Sequence, residues 1–224
     1  MTNPTEAGTT GATPLSEQFA DVKFSFAENH HHKGDFERET SLAKVLKYQA
    51  NADRDASQNA ISFQRKLKGD PTLDKKSWTA RQPIFIPSGV WDARVDSLGP
   101  KVFSNLLALD FDPDKSAKRK RLLTDAEFAA ARKFLASIPE LVAAFRSFSG
   151  QGYCVLVNAG TAENAGSVDK EGYEALIDAF TEKYKDLPQP FEWDPGAKKG
   201  FARPRYPAYD PASKHTQHLS LIHI

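Results

Sequence analysis

The sequence predicts a mixed α/β fold of the α+β type, in which a largely antiparallel sheet is covered by helices. An apolar run, LLALDFD, predicts a central strand over 104–112. Two more apolar stretches, 142–149 and 153–158, are separated by the turn-forming SGQG and predict a hairpin. Between 170 and 185 apolar residues recur at helical spacing, which predicts the clearest helix of the chain.

The residues before the central strand predict a small N-terminal α/β unit. Its elements are expected as strand 22–26, helix 39–51, helix 56–66, loop 69–82 and a strand over 83–91 that is interrupted at Pro87. After the central strand, Thr124 and Glu127 have the spacing of a capping box. A helix is therefore expected from Thr124 to about Ile138.

Composition sets broad limits on function. Of the 224 residues, 40% are hydrophobic and 26% are charged, which suffices for one large domain or two small ones. The net charge of +1 gives no overall bias toward a polyanion, although a local basic patch stays open. The single cysteine, Cys154, excludes an internal disulfide and favours a reducing compartment, so we expect a cytoplasmic protein. No apolar run approaches the ~20 residues of a membrane span, and no membrane partner is expected.

The two ends of the chain differ in composition from its middle. Residues 1–18 are rich in Thr, Gly, Pro and Ala and lack the apolar segment of a signal peptide, so we expect a disordered leader. The final LSLIHI is also one reading frame of a transposon-end adapter used to prepare sequencing libraries. We therefore expect a domain over 19–212 and a truncated tail over 213–224, in which Leu219–Ile224 are not native. A short C-terminal strand is the alternative.

Two carboxylates lie at the end of the predicted central strand. Asp110 and Asp112 are two residues apart, so in a strand they share one face while Phe111 turns to the other. Adjacent carboxylates repel unless a cation lies between them, and hard divalent cations prefer oxygen ligands. The pair is a candidate metal site; a solvated strand end followed by a turn is the alternative.

Two later stretches carry the remaining candidate residues. In SFSGQGY, Gly150 and Gly152 permit a tight turn whose amides suit an anion, although an ordinary hairpin turn has the same pattern. The stretch 191–211 holds Asp194 and several cations, of which Arg203 and Arg205 share a face if the chain is extended. Arginine forks suit phosphate, whereas a solvated charged loop is the alternative.

In this order the three stretches resemble the primase-polymerase-like domain of the archaeo-eukaryotic primase superfamily. The similarity is greatest to the N-terminal domain of virulence-associated E-type proteins of mobile elements and prophages. That family has an apolar strand ending in DxD, then an SxSGxG hairpin, then an acidic residue followed by RxR and an (S/A)YDP-like end. Here the matching stretches are LLALDFD, SFSGQGY and WDPGAKKGFARPRYPAYDP. The resemblance covers residues 22–212 and implies an RRM-like core with an added N-terminal unit.

The resemblance implies a DNA primase or polymerase that acts by two-metal phosphoryl transfer on nucleoside triphosphates and a single-stranded template. By this resemblance the ligands of Mg²⁺ or Mn²⁺ are Asp110, Asp112 and Asp194. It also implies that the triphosphate lies beside Ser149, Gly150, Gly152 and the Cys154 position, and that its phosphates contact Arg203 and Arg205. It further implies that the nucleic-acid backbone contacts Lys66, Lys75, Lys76 and residues 118–121. A helicase-type ATPase is an expected downstream partner, and these residues contain no P-loop pattern.

One position departs from the family pattern. Cys154 stands where many members have a histidine that contacts the incoming nucleotide, and a neutral thiol cannot offer the same charge. The leading alternative is therefore a non-catalytic nucleic-acid-binding module with the same fold. A haloacid-dehalogenase-type phosphohydrolase also uses DxD after an apolar strand, but Pro113 follows the second Asp here and the motif lies halfway along the chain. A DxD glycosyltransferase would need a nucleotide-sugar fold upstream, for which the first half of the chain is short.

Two further residue types, histidine and tryptophan, are candidates for metal binding and for base stacking. Three consecutive side chains, His30–His32, do not converge easily on one ion, so an exposed polar loop is expected. Trp78, Trp91 and Trp193 have the chemistry to stack on bases, but packing in the core or in loops is the expected role of each.

Overall fold

The structure of the chain is a computed structural model. It describes residues 15–28, 38–70, 72–80, 82–93, 97, 99–114, 121–160, 168–194, 196 and 200–209. Some sequence predictions fall outside this part of the chain: residues 1–14 of the leader, His30–His32, Lys118–Lys120, the last residues of the predicted domain (210–212) and the tail over 213–224.

The described chain contains both helices and strands. The strands are β1 Lys23–Ala27, β2 Arg38–Ser41, β3 Ile84–Ile86, β4 Gly89–Val90, β5 Val102–Phe103, β6 Leu106–Pro113, β7 Leu141–Arg146, β8 Tyr153–Asn158 and β9 Phe191–Trp193. The helices are α1 Leu15–Gln18, α2 Leu42–Ala50, α3 Asp55–Gly69, α4 Lys76–Thr79, α5 Asp125–Ala136 and α6 Lys170–Lys183. The predicted mixed α/β class is confirmed. In the described residues the strands form three sheets, β2-β1-β3, β4-β5 and β7-β8-β6-β9, instead of the one expected.

The four-stranded sheet is the centre of the molecule. All of its neighbouring strands are antiparallel, and β6 and β8 lie in the middle. Helix α5 connects β6 to β7, and α6 connects β8 to β9. This β-α-β-β-α-β order is the ferredoxin-like arrangement, which is the one expected for an RRM-like core.

Alternation along β6 sends its side chains into two separate cores. Leu107, Leu109 and Phe111 pack under α5 and α6, whereas Leu106 and Ala108 face the N-terminal unit. The helices contribute Phe128, Ala131, Leu135, Tyr173, Ile177 and Phe180 to the first core. The N-terminal unit contributes Phe24, Leu42, Val45, Leu46 and Phe85 to the second. Both faces of the strand are covered, which explains its near-continuous apolar sequence.

Helix α5 begins at the predicted capping box. The Thr124 hydroxyl accepts from the backbone N–H of Glu127 at 3.3 Å, and the Glu127 carboxylate accepts from the backbone N–H of Thr124 at 2.7 Å. The box therefore satisfies two N–H groups that the first turn of a helix leaves without partners.

Some local predictions differ from the structure. The short helix α4 lies inside the predicted 69–82 loop, and α1 is formed by the last four residues of the predicted leader. Strand β7 ends at Arg146, so that 147–149 belong to the turn and not to the strand. Local propensity underestimates single helical turns of this kind, because tertiary contacts stabilise them.

The short β9 leaves part of the edge of β6 without a neighbouring strand. Because β9 does not reach as far as Ala108, the peptide groups of Ala108 have other partners. The Ala108 N–H donates to the Tyr173 hydroxyl at 3.1 Å, and Arg205 Nη2 donates to the Ala108 carbonyl at 3.1 Å. A two-way backbone bridge between Arg205 and Phe85 fixes the C-terminal segment beside this edge. Buried backbone polar groups need such partners.

Within the described part of the chain, none of the helices combines the length and apolarity that crossing a lipid bilayer requires.

Candidate active site

Four carboxylates lie on one face of the β6–β9 ladder. Asp112 is the direct partner of Glu192, and the backbone N–H of Asp194 donates to the carbonyl of Asp110 at 2.9 Å. Directly opposite residues in a sheet point to the same side. We call Asp110, Asp112, Glu192 and Asp194 the acid cluster. It projects from the face that also carries Cys154, on the side of the N-terminal unit and away from α5 and α6.

Glu192 is the member of the acid cluster that sequence reasoning missed. It is two residues before Asp194, as Asp110 is two before Asp112, so the same alternation was present in FEWD. Only the antiparallel register makes this spacing significant, because it places Glu192 across from Asp112.

Arg203 joins the two carboxylates that come from different strands. Its Nη2 lies 3.0 Å from Asp110 Oδ2 and 3.6 Å from Asp194 Oδ2. The side chains are 33% (Arg203), 18% (Asp110) and 29% (Asp194) exposed, so solvent screens the bridge only in part. The Asp194 carboxylate also accepts from the backbone N–H of Gly196 at 2.9 Å, which orients it.

Arg205 is buried beside Asp110. Its side chain is 6% exposed, with Nε 3.4 Å from Asp110 Oδ1 and Nη2 bonded to the Ala108 carbonyl. Burial is the largest single influence and would lower the pKa of Arg205. The nearby Asp110, Cys154 and Tyr173 together outweigh it, and the pKa is raised. In this arrangement the charge of Arg205 is paired with Asp110 and its guanidinium is bonded to the edge of β6, while its contact with phosphate stays a prediction.

Cys154 lies directly across the β6–β8 ladder from Asp110. Burial raises the pKa of the Cys154 thiol to about 12, against the opposing effect of the nearby Arg205 charge. The group at this position is therefore neutral and enclosed.

The glycine turn lies against the acid cluster. Ser147 N–H donates to the Gly152 carbonyl at 2.8 Å, and Gly150 N–H donates to the Ser147 carbonyl at 2.8 Å. A Cβ on Gly152 would lie 1.9 Å from Asp112 Oδ1 and 2.9 Å from the Phe111 carbonyl oxygen. Glycine is therefore required for Asp112 to occupy its place.

Gly150 and Ser149 form the outer part of the turn. Gly150 has a φ of 70°, and a Cβ there would come within 3.0 Å of the Gln64 side chain. Gln64 in α3 donates to the Phe148 carbonyl at 3.2 Å, so the helix holds the turn in place. The Ser149 hydroxyl lies 3.2 Å from that of Ser147.

One of the predicted nucleic-acid lysines, Lys75, lies beside this turn. It lines a cavity of about 120 Å³ beside the turn, together with Phe63, Leu67, Leu73, Pro113, Arg121, Leu122, Ser149 and Gln151. Lys66 is exposed and lies 5.0 Å from the Trp78 ring centre, and Lys76 is exposed on α4. The structure thus brings Lys75 to the turn, whereas Lys66 and Lys76 are not among the residues of that cavity.

The three tryptophans are used in packing, as expected. Trp91 is 1% exposed and meets Phe201 edge to face at 5.0 Å between ring centres. Trp193 packs 4.9 Å from Phe111, and its Nε1 donates to the Tyr184 carbonyl. Trp78 packs edge-on against Phe63.

The acid cluster suits a hard divalent cation in the chemistry of its donors. Carboxylate oxygens are the preferred ligands of Mg²⁺ and Mn²⁺, and Gly152 leaves the space that the Asp112 carboxylate fills. In the described residues, however, no group of three His, Cys, Asp or Glu side chains is gathered closely enough to hold an ion. Between Asp110 and Asp194 the positive charge is supplied by Arg203. The donor types therefore match the preference of such an ion, but in this structure Arg203, and not a common centre, pairs with Asp110 and Asp194.

Comparison with known proteins adds no family to this picture. No protein-family model, no curated protein and no solved structure matches the chain.

Proposed function

We propose that the domain is a metal-dependent nucleotidyltransferase of the primase-polymerase type. The observation that carries the proposal is the position of Asp194, directly across the ladder from Asp110 although the two are far apart in sequence. Three carboxylates that the sequence marked separately therefore share one face, with the glycine turn against one of them.

The proposed roles follow from these positions. Asp110, Asp112 and Asp194 hold Mg²⁺ or Mn²⁺, with Glu192 beside Asp112. The bound ions supply charge neutralisation and orientation for in-line displacement at a phosphate. Ser149, Gly150 and Gly152, in the turn beside Asp112, approach the triphosphate in this proposal.

Nucleic acid is the proposed second substrate, as a single-stranded template. Exposed cations follow the end of α3 and continue into α4: Arg65, Lys66, Lys68, Lys75 and Lys76. Such a stripe attracts phosphate backbone through counterion release. From the order of its motifs, we further propose that the domain belongs to a cytoplasmic replication protein of a mobile element or phage. A helicase-type ATPase is its proposed partner.

The test is incorporation of labelled nucleotides on single-stranded templates with Mg²⁺ or Mn²⁺. Asp112→Asn is the informative variant, because Asp110 also neutralises the buried Arg205 and its loss would disturb folding. We expect incorporation to fall at least about 100-fold in Asp112→Asn, in line with the loss of a metal ligand. Asp92→Asn removes an equal charge from an exposed loop and should keep full activity. Absence of incorporation by the unaltered chain with either metal would reject the proposal.

A second candidate is a non-catalytic nucleic-acid-binding module. It is favoured by the neutralisation of Asp110 by Arg203 and Arg205 in the structure. This alternative predicts binding of single-stranded oligonucleotides that is unchanged by EDTA and by Asp112→Asn. It predicts weaker binding when Lys66 or Lys75 is replaced by Gln. Incorporation activity decides between the two.

A further inference from the structure

We propose that Arg203 acts as an exchangeable cation, which a divalent metal displaces from Asp110 and Asp194 and which then binds the phosphate of the substrate. The inference rests on the proposed function and concerns the regulation of the same site. It makes phosphate binding by Arg203 conditional on prior metal binding.

The first step is competition for the same oxygen atoms. One guanidinium nitrogen of Arg203 approaches Oδ2 of Asp110 and Oδ2 of Asp194, at 3.0 and 3.6 Å. Asp110 and Asp194 would hold a divalent ion through the same carboxylate oxygens that now face Arg203, so the ion would compete with the guanidinium for them. A metal ion and Arg203 therefore cannot bind this pair of carboxylates at the same time.

The second step is that Arg203, and not Arg205, is the arginine free to move. Arg205 is 6% exposed and donates to the backbone carbonyls of Ala108 and Pro204. Arg203 is 33% exposed. Glycines flank its side chain: a Cβ on Gly200 would lie 2.7 Å from Arg203 Cβ, and one on Gly196 would lie 3.2 Å from Nη1. These glycines leave room for the side chain beside the carboxylates, whereas Arg205 is held on several sides.

The third step concerns where the released charge goes. A divalent ion at Asp110 repels the guanidinium from its former place, while the backbone of Arg203 keeps it at the rim of the acid cluster. A phosphate that binds to the ion then presents oxygens within reach of a cation that no longer has a carboxylate partner. Guanidinium is well suited to phosphate oxygens. Metal and phosphate thus bind with positive coupling, and the coupling must be reciprocal.

The first measurement is the affinity of the full chain for Mn²⁺ without substrate, monitored by electron paramagnetic resonance. Arg203→Gln removes the competing charge, so Mn²⁺ should bind about five- to tenfold more tightly than to the unaltered chain. Arg132→Gln removes the same charge from α5, behind the opposite face of the sheet, and should leave the affinity within about twofold. Thermal unfolding verifies that each variant is folded. If Arg203→Gln does not fold, Arg203→Lys replaces it. Lysine is a single-point cation, so Mn²⁺ should still bind about two- to threefold more tightly.

The second measurement is dATP binding at saturating Mn²⁺, where the same variant should act in the opposite direction. Arg203→Gln loses a charge-assisted contact to phosphate, so dATP should bind about tenfold more weakly. A purely structural role for Arg203 predicts weaker binding of both ligands.

Outcomes of the two titrations separate failure of the exchange from failure of the function. Equal Mn²⁺ affinity in the unaltered chain and in Arg203→Gln overturns the exchange and leaves metal binding intact. Unchanged dATP affinity overturns the phosphate half of the inference. Absence of Mn²⁺ binding by every protein overturns both the exchange and the proposed function.

Discussion

The guanidinium of Arg205 is buried against the carboxylate of Asp110, with Nε 3.4 Å from Oδ1. This pair links the candidate active site to the stability of the fold, because Arg205 also donates to Ala108 on the uncovered edge of β6. A charge that is buried to this extent depends on its partner.

We therefore predict that Asp110→Ala destabilises the domain strongly. Removal of one partner of a buried ion pair leaves the other uncompensated, and the expected loss is about 3 kcal/mol in the free energy of unfolding. Asp194→Ala should cost less than about 1 kcal/mol, because its ion pair with Arg203 is more exposed. Urea-induced unfolding of the two variants measures the difference. Equal losses would mean that Arg205 does not depend on Asp110.

Gly152→Ala should damage the acid cluster directly. The added methyl group would lie 1.9 Å from Asp112 Oδ1, so that either the carboxylate moves or the β6–β8 ladder opens. We expect a loss of about 1–3 kcal/mol in stability, as for other overpacked sites. Mn²⁺ binding should weaken at the same time.

Gly69→Ala is the matched control for this substitution. Nothing lies within 4 Å of a Cβ at Gly69, the last residue of α3, so stability and Mn²⁺ affinity should not decrease. A Gly152→Ala protein that behaves like Gly69→Ala would show that Asp112 does not need the space beside the turn.

The capping box of α5 should make part of the stability dependent on pH. The side chain of Arg121 and the backbone N–H of Thr124 lower the pKa of Glu127 from 4.5 to about 2. A carboxyl group whose pKa is lowered by folding contributes its full stability above pH 4.5 and loses it as the pH falls toward 2. Unfolding free energies measured between pH 5 and pH 2.5 should therefore fall less steeply in Glu127→Gln. Identical slopes for the unaltered protein and Glu127→Gln would contradict the role of Glu127.

Cys154 should be inert in the folded protein. With a pKa of about 12, on the order of one thiol in ten thousand is ionised at pH 8. Alkylation by iodoacetamide at pH 8 should be at least about 100-fold slower in the native protein than in guanidinium chloride, where the thiol is exposed. Rapid native alkylation would show that the face of β8 that carries Cys154 opens readily to solvent.

Much of the local structure was predictable because it depends on short-range patterns. The strand at 153–158, the helix that begins at residue 170 and the capping box at Thr124 agree with the structure, since alternation, helical spacing and capping are properties of neighbouring residues. The division of strands into three sheets was not predictable in the same way. Strand pairing joins residues that are far apart in sequence, and several pairings satisfy the same pattern.

In the candidate site, too, the residue types were predictable from sequence, whereas the contacts between distant residues were not. Its acidic, glycine and arginine residues were found as residue types at suggestive spacings, but their roles depend on register and depth. Glu192 entered the acid cluster only because β9 runs antiparallel to β6, with Glu192 opposite Asp112. Arg203 and Arg205 are both within reach of Asp110, as their alternation suggested, yet one is part-exposed and the other is buried.

By itself the sequence determined which residues can form strands, helices and turns, and which can carry charge to a phosphate or a metal ion. The tertiary structure alone decided that Asp194 lies across from Asp110, that Glu192 joins them, and that the charge of Arg205 is committed within the protein. The physical reason is that propensity and charge belong to single residues and their neighbours. Burial and the distance between charges arise only when distant segments pack together.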